Sequence, residues 1–153
     1  MNELKRILLV EDSANDVALS MAALEEINLA NEVVVVRDGQ QALDFLNRKG
    51  EFASRMDGNP AVVLLDLKLP KVDGIEVLAQ VKGDAHLKTI PIVMLTSSRE
   101  ERDLARSYGL GVNAYVVKPV AFPDFVAALK ELGLFWAVVN QPPPGSIAQP
   151  AGR

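Results

Sequence analysis

The sequence predicts an α/β fold in which a parallel β-sheet is covered by helices on both faces. Five short apolar runs are rich in β-branched residues and too short to form independent helices. Their hydrophobicity is continuous rather than alternating, as parallel strands buried on both faces require. Helical patterns alternate with the runs, which favours right-handed crossover connections. The runs are ILLV (7–10), VVVV (33–36), AVVLL (61–65), IVML (92–95) and AYVV (114–117).

Apolar residues at helical spacing predict a helix after each run. The fourth segment, REERDLARSYG (99–109), is mostly polar, so we expect a weakly anchored helix there. The fifth helix is predicted to begin near Phe122. The apolar positions of the first three helices are Val17, Met21 and Leu24; Ala42, Phe45 and Leu46; and Ile75, Leu78 and Val81.

The bulk composition excludes several classes of protein. The chain has 153 residues, enough for one domain with a sizeable core. Its net charge is −4 and its basic residues are scattered, so the sequence shows no basic cluster of the kind that binds nucleic acid or an anionic membrane. The absence of cysteine excludes disulfides, thiolate nucleophiles and Cys-ligated zinc. With neither a signal-peptide pattern nor a run of about 18 apolar residues, a cytoplasmic location is expected.

The composition changes abruptly near the end of the sequence. The last 14 residues, NQPPPGSIAQPAGR (140–153), contain three consecutive prolines and cannot continue a helix. We predict one domain over residues 1–139 and a disordered or extended tail over 140–153, with no second domain following. A proline-rich docking peptide is the alternative for the tail.

Charged or hydroxyl side chains follow each apolar run, and those after the second run, Arg37 and Asp38, are the least distinctive. In an open parallel sheet, ligands bind outside the carboxyl ends of the strands, so these residues are predicted to meet at one edge. A single polar residue there could simply cap the next helix, a role that suits Asp12 or Ser13. The whole set favours a functional site. It comprises Glu11 and Asp12 after the first run, Asp66 after the third, Thr96 and Ser97 after the fourth, and Lys118 and Pro119 after the fifth.

The residue types in this set predict a chemistry. Carboxylates about 4 Å apart repel by about 4 kcal/mol per pair at an effective dielectric constant of about 20, so the acids need a cation. Oxygen ligands without histidine or cysteine suit Mg²⁺. Such an ion beside a carboxylate, a hydroxyl and a lysine is typical of a phosphoryl-transfer site. Asp66 would attack phosphorus, while Thr96 and Lys118 would stabilise the oxygens of the phosphoryl group.

Four motifs, in this order and at these spacings, resemble the receiver domain of two-component response regulators. The resemblance covers roughly residues 5–133 and implies a flavodoxin-like, doubly wound, five-stranded parallel sheet of order 2-1-3-4-5 with five helices. It implies a phospho-accepting signalling domain rather than an enzyme, although such domains assist their own phosphorylation and dephosphorylation. The motifs are VEDS (10–13), LLDLKLPKVDG (64–74), MLTSS (94–98) and YVVKP (115–119).

The resemblance also implies a metal site. Asp66 corresponds to the phospho-acceptor and is itself a ligand of Mg²⁺. Asp12 corresponds to a direct metal ligand and Glu11 to a ligand acting through water. Lys68 corresponds to the residue whose backbone carbonyl completes the coordination.

The remaining implied roles concern the phosphoryl group and the response to it. Thr96 and Lys118 correspond to the hydroxyl and the lysine that hold the phosphoryl group. Tyr115 corresponds to the aromatic residue that switches together with Thr96. In this family the peptide bond before Pro119 is usually cis.

Within this family, two segments resemble those of the small, single-domain response regulators that serve bacterial and cyanobacterial phytochrome kinases. They are a long loop before the third strand, GEFASRMDGNP (50–60), and an apolar extension of the fifth helix, KELGLFWAVVN (130–140). The resemblance implies a histidine kinase as partner, and these segments suggest a phytochrome.

The output is predicted to be a protein contact, since the sequence has no basic stripe or DNA-binding motif. The segment Phe122–Trp136 carries more apolar residues than one stripe of a surface helix needs. We therefore expect a homodimer through the face formed by helix 4, strand 5 and helix 5 together with this segment. The alternative is that the segment covers its own sheet.

Three other functions compete with this interpretation. A phosphatase of the haloacid dehalogenase type would need an acid two residues after Asp66, where the sequence has Lys68. A nucleotide-binding module would need a glycine-rich turn after the first strand, where the sequence has EDSAND (11–16). A pseudo-receiver scaffold would not need the complete acid, hydroxyl and lysine set.

Overall fold

The computed structural model describes residues 7–56, 58–97, 100–118 and 121–132. The predictions that lie outside these residues concern the tail (140–153), the apolar residues Leu134, Phe135 and Trp136, and the peptide bond before Pro119. The domain boundary at residue 139 stays a prediction for the same reason.

The described strands form one parallel sheet in the order β2-β1-β3-β4-β5, which confirms the predicted fold. Three strands coincide with the predicted runs. The third begins one residue later, and the fourth continues to Thr96 because its register with the fifth strand pairs Thr96 with Val117. The strands are β1 (Ile7–Val10), β2 (Val33–Val36), β3 (Val62–Leu65), β4 (Ile92–Thr96) and β5 (Ala114–Val117).

Five helices alternate with these strands, as predicted. Three of them begin at a side-chain cap: Ser13, Asp38 and Asp73 each accept a hydrogen bond from the backbone N–H three residues later. The helices are α1 (Ala14–Glu26), α2 (Gly39–Asn47), α3 (Gly74–Gly83), α4 (Glu101–Gly109) and α5 (Phe122–Glu131).

The sheet separates two hydrophobic clusters, one on each face. Successive strand residues point to opposite faces, so Leu8 and Val10 join the cluster under α2 and α3. Ile7 and Leu9 join the cluster under α1 and α5. Both faces of β1 and β3 are therefore buried, which is the physical reason for their continuous apolar sequences.

The described part of α5 packs against its own sheet. Phe125 and Leu129 are completely buried, and Phe122, Val126 and Leu132 are partly buried against the cluster that α1 also covers. The packing of these side chains agrees with the alternative prediction for this segment, in which it covers its own sheet. No helix in the described residues has the length and apolar character needed to cross a membrane.

Arg55, in the long loop before β3, contacts α2. Its guanidinium lies 4.1 Å from the centre of the Phe45 ring. It donates hydrogen bonds from Nε to the Phe45 carbonyl at 3.1 Å and from Nη1 to the Gly58 carbonyl at 2.9 Å. Phe52 packs edge-on against the Phe45 ring, with 5.2 Å between centroids. The described part of this loop is thus packed against the domain.

At the opposite edge of the sheet from the predicted site, Lys82 joins three segments. Its ammonium donates hydrogen bonds to the carbonyls of Lys88 at 3.2 Å and Ile90 at 2.9 Å, and to the Asn113 side chain at 3.2 Å. The same Asn113 oxygen accepts the backbone N–H of Ile92 at 2.8 Å. Burial lowers the pKa of Lys82. This cation thus connects α3 to the starts of β4 and β5.

Replacing Lys82 by methionine is expected to lower the free energy of unfolding by about 1–2 kcal/mol, because three acceptors lose a charged donor. Urea denaturation monitored by circular dichroism measures this. Lys88→Met is the matched control, since it removes the same charge from an exposed side chain. Its effect should stay within about 0.5 kcal/mol. Equal losses in the two variants would contradict the assigned role of Lys82.

Candidate functional site

The ends of β1 and β3 place three carboxylates at one edge of the sheet. The backbone N–H of Glu11 donates to the Val36 carbonyl at 3.0 Å, and that of Asp66 donates to the Val10 carbonyl at 3.1 Å. These bonds continue the parallel ladder past the strands and fix both residues. Oxygens of Glu11, Asp12 and Asp66 lie within 4.8 Å of one another. The structure therefore brings together the acids that the sequence placed at strand ends.

Burial makes this acid cluster electrostatically costly. Glu11 is 2% exposed and Asp66 is 9% exposed, whereas Asp12 faces solvent. Two charges 4.8 Å apart repel by about 3 kcal/mol at an effective dielectric constant of about 20. The donors are all oxygens, which hard divalent cations prefer. In number, spacing and chemistry, the cluster suits a divalent ion such as Mg²⁺ or Mn²⁺.

Lys118 supplies a positive charge to the same site. Its side chain is 8% exposed, and its ammonium forms a short hydrogen bond with Glu11. It also lies 3.2 Å from an oxygen of Asp16 and 3.6 Å from an oxygen of Asp66. The residue that follows β5 thus reaches the predicted phospho-acceptor at the end of β3.

Thr96 and Tyr115 lie on the neighbouring strands β4 and β5. Thr96 is buried at the end of β4, where its carbonyl accepts the backbone N–H of Lys118 at 2.7 Å. Tyr115 pairs with Met94 and packs, half-buried, against the face that α2 and α3 cover. The predicted switch pair therefore occupies adjacent strands, two positions apart in register.

Lys68 lies in the loop that follows β3, and its side chain is exposed. With Asp12 on the other side, this loop and α4 line an open cleft of about 540 Å³. Asp38, which follows β2, is used differently: it caps α2 and lies 3.7 Å from the Lys71 ammonium. Asp38 thus contacts α2 and Lys71, and it is not one of the acids in the cluster.

Two residues of this site, Asp16 and Gly74, were not predicted from the sequence. Asp16 was not selected because it belongs to the first turn of α1, although its position three residues after the cap Ser13 places it at the same edge. Gly74 was named only as the last residue of the motif LLDLKLPKVDG (64–74). In the structure a Cβ at Gly74 would lie 2.1 Å from the carbonyl oxygen of Asp66. A glycine directly after a capping aspartate, close to a functional acid, is a signal that could have found it.

The charges within the site shift two pKa values. Burial raises the pKa of Glu11 to about 7; the hydrogen bond from Lys118 opposes this shift, and the charge of Asp66 adds to it. Although burial favours the neutral amine, the hydrogen bond with Glu11 and the charge of Asp66 hold the pKa of Lys118 above its usual value. Glu11 therefore takes up a proton near neutral pH when no cation compensates the acids.

This shift predicts how stability depends on pH. Between about pH 5 and 7 the folded protein retains a proton on Glu11 that the unfolded chain has lost, so the free energy of unfolding falls as pH rises. Relative to Glu11→Gln, the wild type should lose at most about 3 kcal/mol over this interval. Urea denaturation in the presence of a chelator, repeated at several pH values, measures the difference. Parallel profiles for the two proteins would contradict the raised pKa.

The fold and the site define a class of signalling protein. A parallel sheet of order 2-1-3-4-5 with an acid cluster at the ends of β1 and β3 and a lysine after β5 is the arrangement that the receiver resemblance implied. The chain belongs to the response regulator receiver domain family, whose pattern matches residues 7–130.

Individual proteins resemble this chain in sequence and in structure. The chain is similar to the solved structure of the bacteriophytochrome response regulator RtBRR, with 65% identity, a TM-score of 0.76, and coverage of 94% of this chain and 87% of that one. The probable methanogenesis regulatory protein FilR2 of Methanothrix harundinacea is 43% identical over 137 residues, 90% of this chain and 86% of that protein.

A third relative bears on the metal. The response regulator Rcp1 of Synechocystis is 42% identical over 135 residues, 88% of this chain and 90% of that protein. A crystal structure of Rcp1 in its Mn²⁺-bound form matches this fold with a TM-score of 0.79 and 40% identity, covering 91% of this chain and 99% of that one. A divalent ion has thus been seen in a protein of the same fold and similar sequence.

Proposed function

We propose that this response regulator accepts a phosphoryl group on Asp66 from a histidine kinase. One observation carries the proposal: an oxygen of Asp66 lies 3.6 Å from the Lys118 ammonium, while Glu11 and Asp12 complete an acid cluster around it. A nucleophilic carboxylate, a cation site and a buried amine are thus within reach of one phosphorus atom.

The transfer would proceed by in-line displacement. An oxygen of Asp66 forms a bond to phosphorus, the bond from phosphorus to the kinase imidazole nitrogen breaks, and the imidazole keeps the electron pair. Lys118 and the Thr96 hydroxyl would each hold an oxygen of the transferred group. Asp12 and Asp66 directly, Glu11 through water and the Lys68 carbonyl would hold Mg²⁺, which when bound neutralises charge on those oxygens.

The residue two positions after Asp66 favours signalling over hydrolysis as the outcome. A phosphatase with an aspartyl intermediate would use a second acid two residues after the nucleophile. Lys68 occupies that position and its side chain is exposed. A phosphorylation-independent scaffold would have no need of a lysine that is 8% exposed and contacts three acids.

Labelled phosphoryl transfer tests the assignment of Asp66. A histidine kinase carrying ³²P is mixed with the wild type, Asp66→Asn and the control Asp84→Asn, with and without Mg²⁺. Asp66→Asn should lose all acceptance of label, and the wild type should lose it without Mg²⁺. Asp84→Asn should accept label normally, because Asp84 follows α3 at the opposite edge of the sheet. Equal labelling of Asp66→Asn and the wild type would refute the assignment.

We further propose that the kinase is a phytochrome. The 65% identity to a bacteriophytochrome response regulator supports this choice. With a bacteriophytochrome kinase as donor, the initial rate of transfer should exceed that from an unrelated histidine kinase at equal concentration. No preference between the two donors would argue for another partner.

The output would be a change in protein contacts on the face formed by α4, β5 and α5. Thr96 would turn toward the phosphoryl group, Tyr115 would follow, and α4 would shift. Leu104 and Tyr108 on α4 are 39% and 52% exposed, which supports a contact surface there. We propose a homodimer through this face together with the segment Phe122–Trp136, of which only the part to Leu132 is described.

A further inference from the structure

Asp16 contacts Lys118 but does not belong to the acid cluster. Among the described residues, the acids that lie close enough to share an ion are Glu11, Asp12 and Asp66. Asp16 is not one of them, yet its carboxylate lies 3.2 Å from the Lys118 ammonium, closer than that of Asp66 at 3.6 Å. This contact has no place in the phosphoryl-transfer roles assigned above.

The first turn of α1 holds Asp16 in this position. The backbone N–H of Asp16 donates to the Ser13 hydroxyl at 3.3 Å, so the residue is fixed by the helix cap. Its side chain is 41% exposed, whereas those of Lys118 and Glu11 are 8% and 3% exposed. A carboxylate anchored by its own helix can hold the ammonium whether or not a cation occupies the acid cluster.

An ammonium has three protons to donate, and three described carboxylates surround this one. Glu11 and Asp16 accept hydrogen bonds from it, whereas Asp66, at 3.6 Å, forms only an ion pair. A phosphoryl oxygen that approaches Lys118 must therefore compete with the charge and the hydrogen bonds of these carboxylates. A bound cation would already neutralise Glu11 and Asp66. Asp16 would then keep its full negative charge beside the ammonium and oppose the incoming anion.

We propose that Asp16 is a positioning residue that competes with the phosphoryl group for Lys118 and so limits how tightly the site holds that group. The inference rests on the proposed function. It concerns the same site but a residue to which that function gives no role. Removing the charge of Asp16 should free the ammonium to bind the phosphoryl group.

The test measures binding of beryllofluoride, an unreactive phosphoryl mimic, by isothermal titration calorimetry in the presence of Mg²⁺. Asp16→Asn should lower the dissociation constant about 5- to 10-fold, the size expected when one partly exposed carboxylate no longer competes for the ammonium. Asp124→Asn is the matched control, since Asp124 is exposed and occupies the same first-turn position in α5. It should leave the constant unchanged.

A second titration, with Mg²⁺ alone, separates competition for Lys118 from a general effect of charge. Because Asp16 lies outside the acid cluster, Asp16→Asn should change the Mg²⁺ dissociation constant by no more than about twofold. The inference is overturned if beryllofluoride binds Asp16→Asn no more tightly than the wild type, or if Mg²⁺ affinity falls as much as beryllofluoride affinity rises. A wild type that binds no beryllofluoride with Mg²⁺ would instead remove the proposed function.

Discussion

Gly74→Ala is expected to lower the free energy of unfolding by about 3 kcal/mol or more, because the added methyl group has no space. It would lie 2.1 Å from the carbonyl oxygen of Asp66, 2.8 Å from the Cα of Leu67 and 2.9 Å from the carbonyl oxygen of Leu67. All three atoms belong to the backbone, so no side-chain rotation can relieve the clash. The start of α3 would have to move away from the end of β3.

The same substitution should impair the site. The backbone N–H of Gly74 donates to the Leu67 carbonyl at 2.7 Å, so displacement of α3 pulls on the residue next to Asp66. The folded fraction of Gly74→Ala should therefore accept ³²P on Asp66 more slowly than the wild type does, in addition to its lower free energy of unfolding.

Gly83→Ala is the matched control for this prediction. Gly83 ends the same helix, and a Cβ there meets no atom within 4 Å. That variant should be unchanged or more stable by up to about 1 kcal/mol, because alanine favours helix. Urea denaturation of the two variants measures the contrast. A Gly74→Ala protein with wild-type stability and labelling would contradict the close contact.

Lys118→Met is expected to slow phosphorylation of Asp66 by at least about 100-fold, the loss typical of removing a preorganised donor to transition-state charge. The lysine is buried, lies 3.6 Å from Asp66, and brings the only described ammonium into the acid cluster. Methionine preserves the length and packing of the side chain but provides no charge. Initial rates of ³²P transfer at saturating Mg²⁺ measure the effect.

The same variant should bind Mg²⁺ more tightly than the wild type. Lys118 is a cation in contact with the acids Glu11 and Asp66, so it repels a divalent ion and competes for their oxygens. Lys71→Met serves as control for the loss of charge, since the Lys71 side chain is 69% exposed and contacts Asp38 rather than the acid cluster. Near-normal phosphorylation of Lys118→Met would exclude the role proposed for this lysine.

The sequence determined where the strands lie and which residues follow them. Apolar runs such as residues 7–10 and 33–36 became β1 and β2 without change, because a strand buried on both faces needs continuous hydrophobicity. The acid cluster followed from the same reasoning: residues after adjacent parallel strands must meet at one edge of the sheet. Glu11 and Asp66 are therefore neighbours although they are 55 positions apart in the chain.

The direction of individual side chains was decided only by the tertiary structure. The contact of Asp16 with Lys118 joins residues 102 positions apart, and the crowding of Gly74 against Asp66 depends on how α3 returns to the sheet. The raised pKa of Glu11 follows from its burial, which is set by the helices that pack around it. Local sequence specifies periodicity and chemistry, whereas these distances depend on how several elements pack at once.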